Sequence, residues 1–193
     1  MRLGIDLDNT IIDYDHAFLT AARERGLVAP DFSGAKQQLR DHIRMLPDGE
    51  ITWQKLQGYV YGKGIKDAAL FPGVTEFFAR AAGHEFFIVS HKTEFGHYDP
   101  EKINLREAAT AFLAAHGLGH VPASFHDTRA GKVEKIATLA LDWFIDDLVE
   151  VYEEPHFPAA VKKILFHTSS TPAPEGSWQV CTDWNAIMQK MLA

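Results

Sequence analysis

Two aspartates separated by one residue follow the first apolar run of the chain. The run "RLGI" ends at Ile5, and the acids are Asp6 and Asp8. Two neighbouring carboxylates can divide the work of a nucleophile and of a general acid and base between them. The same pair also fits a solvated turn after an edge strand. The residues at the ends of the other apolar runs decide between a turn and a chemical centre.

Polar residues suited to the same chemistry follow two later runs. Ser90 comes directly after "EFFIV", and Asp146 and Asp147 come after "WFI". Lys132 opens the helical pattern that precedes the second of these runs. In an open parallel sheet, ligands bind outside the carboxyl ends of the strands, where the loops leave the edge. We therefore expect these side chains to meet the two acids of the first loop.

Four carboxylates at one sheet edge predict a bound cation. Neighbouring carboxylates raise one another's pKa unless a positive charge neutralises them. Oxygen ligands alone suit Mg²⁺, which binds one or two carboxylates, keeps several waters and is completed by phosphate oxygens. The residue types therefore predict a Mg²⁺ cofactor and a substrate that carries phosphate.

The runs that deliver these residues have the composition of buried strands. They are continuously apolar rather than alternating, as a parallel sheet covered on both faces requires. Further runs, "KILF" and "WQVC", end at His167 and Thr182. Helical patterns lie between the runs, and the third of them has a predicted buried stripe of Val133, Ile136, Ala137 and Ala140. Strand and helix in alternation predict a doubly wound, three-layer α/β fold with a parallel sheet.

One segment interrupts the alternation. Residues 13–70 contain three helical patterns and no convincing strand, and the chain returns to the alternating pattern at "LFPG". We predict a small helical cap over 13–70, inserted after the first strand, and an α/β core that comprises 1–12 and 71–193.

Four motifs in order resemble those of a known superfamily. "DLDNT", then "IVS", a lysine that leads a helix, and "FIDD" are similar to the motifs of the haloacid dehalogenase-like (HAD) hydrolases, of the phosphatase type with a small cap. The resemblance implies a Rossmann-like core and an enzyme that hydrolyses a small phosphomonoester, with Mg²⁺, through an aspartyl-phosphate intermediate.

The resemblance also implies roles for individual residues. Asp6 would be the nucleophile and Asp8 the general acid and base, and the presence of Asp8 argues against a dehalogenase. Ser90 and Lys132 would hold the phosphoryl oxygens, and Thr10 would support the first loop and the substrate.

The implied metal ligands come from the same loops. They are Asp6, the backbone carbonyl of Asp8, and one acid of the Asp146/Asp147 pair. Asp147 is the better direct ligand under this resemblance, with Asp146 acting through water.

Several assignments stay open at this point. Lys132 is favoured as the amine that faces the phosphate, because the first turn of a helix faces the strand ends, but Lys135 and Lys92 are alternatives. Asn9 stands where glycine is frequent in the superfamily, and asparagine tolerates unusual backbone angles. Asn9, His91 and Lys92 are predicted to contribute to substrate binding, the last two from a loop that follows Ser90.

Other function classes remain as alternatives. A related phosphotransferase, a mutase or a phosphonate hydrolase would use the same fold, and the last of these would need a Schiff-base lysine in the cap, where the candidates are Lys36, Lys55, Lys63 and Lys66. A protein that binds metal and phosphate without turnover is the other alternative.

Composition limits the binding partners and the cellular compartment that we expect for this protein. The net charge of −7 over 193 residues, without a basic cluster, argues against nucleic-acid binding. Cys181 is the only cysteine, which excludes an internal disulfide and suits a reducing compartment. No apolar stretch is long enough to span a bilayer, and Asp6 interrupts the first apolar run. We expect a cytoplasmic protein that binds a small phosphorylated molecule and no membrane, with its oligomeric state open.

Overall fold

A central parallel sheet organises the chain in the computed structural model, which describes residues 1–169 and 171–192. The strands are β1 (Arg2–Ile5), β2 (Ile12–Asp13), β3 (Ala69–Leu70), β4 (Glu85–His91), β5 (Ala123–His126), β6 (Trp143–Asp146), β7 (Lys162–Phe166) and β8 (Gln179–Cys181). Six of them form one sheet in the order β5-β4-β1-β6-β7-β8, and every pair in it is parallel. The remaining two, β2 and β3, form a separate two-stranded sheet.

Helices separate most of these strands, as the apolar patterns predict, and the last helix follows β8. They are α1 (Asp15–Glu24), α2 (Lys36–Arg44), α3 (Gly49–Tyr61), a 3₁₀ helix (Lys63–Asp67), α4 (Val74–Arg80), α5 (Leu105–Ala115), α6 (Arg129–Thr138), α7 (Val149–Tyr152) and α8 (Trp184–Leu192). The predicted parallel α/β fold is therefore confirmed.

Helices cover both faces of the sheet because successive residues of β4 point to opposite sides. Phe86 packs against Phe77 and Phe78 of α4. Val89 packs with residues of α6 and of β6 in a separate buried cluster. Each face of the sheet therefore has its own apolar layer, which makes three layers in all.

Several details differ from the prediction. The short strand β3 (Ala69–Leu70) lies in the segment 13–70, where no convincing strand is predicted. The strand β5 carries few apolar residues and is not apparent in the sequence pattern. Ala137 and Ala140 are exposed rather than buried. Ala140 leaves the predicted stripe because α6 ends at Thr138 and Ala140 has a left-handed φ of 47°. Alanine also gains little free energy from burial, so an apolar stripe made of alanines is a weak indicator of a core face.

The described residues divide into two compact units. The first comprises 1–12, 70–92 and 121–193, and the second comprises 13–69 and 93–120. The second unit contains almost all of the predicted cap and also takes in α5, which is assigned to the core from sequence alone. The reason is that α5 packs against α3 and the 3₁₀ helix.

Each unit has an aromatic core of its own. In the second unit, Phe18 stacks on Trp53 with ring centroids 5.0 Å apart, and Tyr14 contacts Tyr61 edge to face. In the first unit, Trp184 of α8 packs against Phe77.

Within the described part of the chain, no helix combines the length and the apolar character needed to cross a bilayer.

Candidate active site

The sheet register brings the first loop beside the end of β6. Ile5, the last residue of β1, is paired with Ile145 of β6 on one side and with Ile88 of β4 on the other. The backbone N–H of Asp6 donates to the carbonyl of Ile145 over 2.8 Å. Asp6 and Asp146 therefore lie one residue beyond a paired position, on adjacent strands at the same edge.

A buried lysine joins these two acids. Nζ of Lys132 lies 2.6 Å from Oδ1 of Asp6 and 2.6 Å from Oδ2 of Asp146. Lys132 belongs to the start of α6, where the hydroxyl of Thr128 caps the helix by accepting from the N–H of Gly131. All three charged groups are at most 5% exposed. The helix start thus places one positive charge between two negative ones inside the protein.

Burial dominates the acid-base properties of this group. It raises the pKa of Asp6 to about 7, against the opposing effect of Lys132, and the carboxylates of Asp146 and Asp8 raise it further. Burial by itself lowers the pKa of Lys132, but the carboxylates of Asp146 and Asp6 more than offset this and hold the pKa above its ordinary value. Lys132 is therefore an ammonium at neutral pH, and burial opposes the negative charge of Asp6.

Two buried hydroxyl groups accompany the charged residues. Ser90 in β4 and Thr10 in the first loop are 1% and 0% exposed, and neither hydroxyl oxygen has a hydrogen-bond partner among the described residues. A buried hydroxyl without a partner costs stability. Such groups in a native fold call for an explanation, and a ligand that hydrogen-bonds them is one.

Asp8 forms an ion pair with a second buried lysine, Lys92. Nζ of Lys92 lies 2.8 Å from Oδ2 of Asp8, and Lys92 is 4% exposed. Of the three lysines that the sequence leaves open, Lys132 and Lys92 both reach carboxylates. Lys135 is half-buried one turn further along α6 and forms no ion pair within the described residues.

Asp147 completes an acidic group. Oxygen atoms of Asp6, Asp146 and Asp147 all lie within 4.8 Å of one another, the one group of this kind found in the described part of the chain. Asp146 already uses both oxygens, since Oδ2 contacts Lys132 and Oδ1 accepts from the N–H of Leu148 over 3.0 Å. Asp147 is half-buried at the edge of the group.

The first loop is held in a tight turn. Asn9 has a φ of 59°, in the left-handed region that asparagine tolerates better than most residues, which agrees with the expectation for this position. The N–H groups of Ile11 and Ile12 both donate to the carbonyl of Leu7. Trp184 donates through Nε1 to the carbonyl of Thr10 over 3.0 Å. Nothing in the sequence pattern connects residue 184 with this loop.

His91 is not part of the buried group. It is exposed, and its Nε2 lies 3.0 Å from the backbone carbonyl of Asp127. Ser90 and Lys92 lie on the opposite, buried side of the strand, because side chains alternate along β4.

The second unit has a cleft of its own, of about 680 Å³. Tyr59, Tyr98 and Ile103 supply apolar walls, and Lys63 forms an ion pair with Glu101 at its side. The residue types expected for phosphoryl chemistry lie at the sheet edge of the first unit.

Comparison with known proteins gives matches in three-dimensional structure. No family model and no curated protein matches the chain. The structure of protein tyrosine kinase A of Mycobacterium tuberculosis matches with a TM-score of 0.62 at 14% identity over 98% of this chain and 96% of the other. The HAD-hydrolase YfnB of Bacillus subtilis, bound to magnesium, matches at 0.61 and 12% over 98% and 97%. A predicted phosphoglycolate phosphatase of Haemophilus somnus matches at 0.53 and 16% over 97% and 95%. Identities this low establish the fold and no more, and the chain has the fold of the HAD-superfamily hydrolases.

Proposed function

We propose that this protein is a Mg²⁺-dependent phosphatase that hydrolyses a small phosphomonoester through an aspartyl-phosphate. The observation that carries the proposal is the arrangement of groups around Asp6. The buried carboxylate of Asp6 is paired with Lys132. Two buried hydroxyls that have no hydrogen-bond partner among the described residues belong to Ser90, near the end of β4, and to Thr10, in the loop that Asp6 begins. Phosphoryl transfer depends mainly on positioning and on electrostatic stabilisation, and these groups suit both.

The charges of the site fit a divalent cation. When all groups are ionised, the four aspartates and the two lysines, Lys92 and Lys132, leave two negative charges uncompensated. Carboxylate oxygens are the ligands that Mg²⁺ prefers. We propose Asp6, the carbonyl of Asp8 and Asp147 as ligands, with Asp146 acting through water because both of its oxygens have protein partners. Bound Mg²⁺ would supply positive charge beside the phosphoryl oxygens.

The first half of the proposed reaction uses both aspartates of the loop. An oxygen of Asp6 attacks phosphorus, and the bond between phosphorus and the ester oxygen breaks. Asp8 gives its proton to the departing oxygen, so the product leaves as an alcohol. Lys132 and the hydroxyl of Ser90 bind the phosphoryl oxygens and stabilise the charge that they carry in the transition state.

The second half restores the enzyme. Asp8, now ionised, takes a proton from a water molecule whose oxygen attacks the phosphorus of the aspartyl-phosphate. The bond to Asp6 breaks, inorganic phosphate leaves, and both aspartates return to their starting states.

The substrate is proposed as a class. A small phosphorylated metabolite in the cytoplasm is in keeping with the negative net charge and the single cysteine of the chain. One structural neighbour is a predicted phosphoglycolate phosphatase. Asn9, Thr10, Ser90, His91 and Lys132 remain proposed substrate contacts.

The direct test is phosphate release from 4-nitrophenyl phosphate, measured with Mg²⁺ and with EDTA. We expect turnover that needs Mg²⁺ and is lost in Asp6→Asn. Asp31→Asn, which removes an exposed acid from the second unit, is the matched control and should retain full activity. Turnover by Asp6→Asn, or turnover unaffected by EDTA, would contradict the mechanism.

One observation favours phosphonate hydrolysis as the second candidate. Nζ of Lys36 donates to the hydroxyl of Tyr61 over 2.7 Å and lies over the ring of Phe18, which makes it the half-buried member of the four cap lysines. A partly desolvated amine suits Schiff-base formation. Reduction with borohydride in the presence of a carbonyl-bearing phosphonate should then label Lys36, and an unlabelled protein would count against this candidate.

A further inference from the structure

We propose that Lys92 is a positioning residue for Asp8, so that the site uses two buried lysines, one for each of its two reacting aspartates. The inference rests on the proposed phosphatase function. It gives Lys92 a task different from the substrate contact expected from sequence.

The strand fixes the direction of the Lys92 side chain. The N–H of Lys92 donates to the carbonyl of His126 over 3.0 Å, so its backbone continues the pairing of β4 with β5 beyond His91. Side chains alternate along such a segment. Ser90 and Lys92 accordingly share the buried side, while His91 between them is exposed.

The side chain ends at Asp8. Nζ of Lys92 and Oδ2 of Asp8 are 2.8 Å apart, and the exposed fractions of the two side chains are 2% and 15%. Removing a lysine from water costs free energy, and a buried ion pair stabilises a fold little compared with apolar residues of similar volume. Stability is therefore a poor reason for burying Lys92, and fixing the orientation of the Asp8 carboxylate is a better one.

The backbone of Asp8 is fixed independently. Asp8 lies in the tight turn whose N–H groups, from Ile11 and Ile12, donate to the carbonyl of Leu7. With its backbone and its carboxyl group both held in place, Asp8 is preorganised for proton transfer, which the general-acid step and the general-base step both require.

The two lysines serve different acids. Lys132 contacts Asp6 and Asp146, and Lys92 contacts Asp8. Removing Lys92 should therefore leave the contacts of the nucleophile in place and impair proton delivery to the leaving oxygen. A phosphate-binding lysine would instead affect the binding of every substrate alike.

A comparison of two esters separates these roles. Phenyl phosphate has a more basic leaving group than 4-nitrophenyl phosphate and depends more on a general acid. We expect Lys92→Met to lower kcat for phenyl phosphate about tenfold more than for 4-nitrophenyl phosphate, with KM changed less than about twofold. In an Asp8→Asn background, Lys92→Met should cause no further loss. Lys190→Met, which removes an exposed lysine of α8, is the matched control and should behave as the wild type.

Thermal unfolding supplies a readout that does not depend on turnover. Each single variant removes one charge of the Lys92–Asp8 ion pair and keeps the other, whereas Asp8→Asn/Lys92→Met removes both charges. The double variant should therefore lose less in Tm than the sum of the two single losses.

Three results would overturn the inference. The first is an equal fall in kcat for both esters together with a raised KM, which would make Lys92 a phosphate contact. The second is a set of additive losses in kcat and in Tm, which would mean that Lys92 and Asp8 act independently. The third is failure of the wild type to hydrolyse either ester, which contradicts the proposed function itself and is seen before any variant is compared.

Discussion

Replacing Asp6, the proposed nucleophile, should reduce the loss of stability that the metal-free protein undergoes as the pH rises. The carboxyl group of Asp6 is buried, and its pKa is raised from 3.8 to about 7. The folded state therefore keeps a proton that the unfolded chain releases above pH 3.8. The stability that this proton provides is complete below pH 3.8 and is lost as the pH rises through about 7. Asp6→Asn does not titrate and escapes this loss.

The size of the effect follows from the same values. Ionising Asp6 in the folded state costs about 4 kcal/mol relative to the unfolded chain at pH well above 7. Most of the change takes place between pH 5 and pH 8, where it amounts to about 2–3 kcal/mol. The free energy of unfolding of Asp6→Asn should therefore rise by this amount relative to that of the wild type over the interval.

Urea unfolding in EDTA at pH 5, 6, 7 and 8 measures the difference directly. The exposed-acid variant Asp31→Asn should follow the wild type at every pH. Mg²⁺ at pH 8 should stabilise the wild type and close the gap to Asp6→Asn, because the cation neutralises the ionised carboxylate. Parallel pH profiles for the wild type and Asp6→Asn would refute the reasoning, since they would mean that Asp6 is not a buried acid with a raised pKa.

The remaining predictions concern the hydroxyl of Ser90 and the carboxylate of Asp147. Ser90→Ala should reduce kcat/KM about tenfold or more while leaving Tm equal to or above that of the wild type, because it removes a buried hydroxyl that has no partner in the described structure. Ser124→Ala on the neighbouring strand removes a hydroxyl that donates a hydrogen bond to the carbonyl of Ile88, so it should lower Tm and leave kcat/KM unchanged. A large loss of Tm in Ser90→Ala would contradict the prediction. Asp147→Asn should weaken Mg²⁺ binding in a calorimetric titration about tenfold or more, since it removes a charge from the acidic group. Glu150→Gln removes an exposed acid nearby and should bind Mg²⁺ as the wild type does; equal affinities for all three proteins would exclude Asp147 as a ligand.

The parallel sheet and the cluster at its edge are predictable from local patterns. Continuous apolar runs indicate strands covered on both faces, and parallel strands present their carboxyl ends at one edge whatever their order. That is why Asp6, Ser90 and Asp146 are expected together before any contact is known. The edge strand β5 escapes the same reasoning because its four residues, "ASFH", include only one large apolar side chain.

The partners of the charged groups are not predictable in this way. Lys92, Lys132 and Lys135 are chemically equivalent in the sequence, and the distinction between them depends on the direction in which a strand or a helix turn presents each side chain. The structure pairs Lys132 with Asp6 and Asp146 and pairs Lys92 with Asp8. It also brings Trp184 to the carbonyl of Thr10 across 174 positions of the chain.

The sequence by itself determined which chemical groups meet at the sheet edge, because residue type and strand ends are local properties. Only the tertiary structure decided which of these groups are buried, which carboxylates form ion pairs with a lysine, and which hydroxyls have no hydrogen-bond partner among the described residues. These properties depend on the atoms that surround each group in space, and most of those atoms belong to residues far away along the chain.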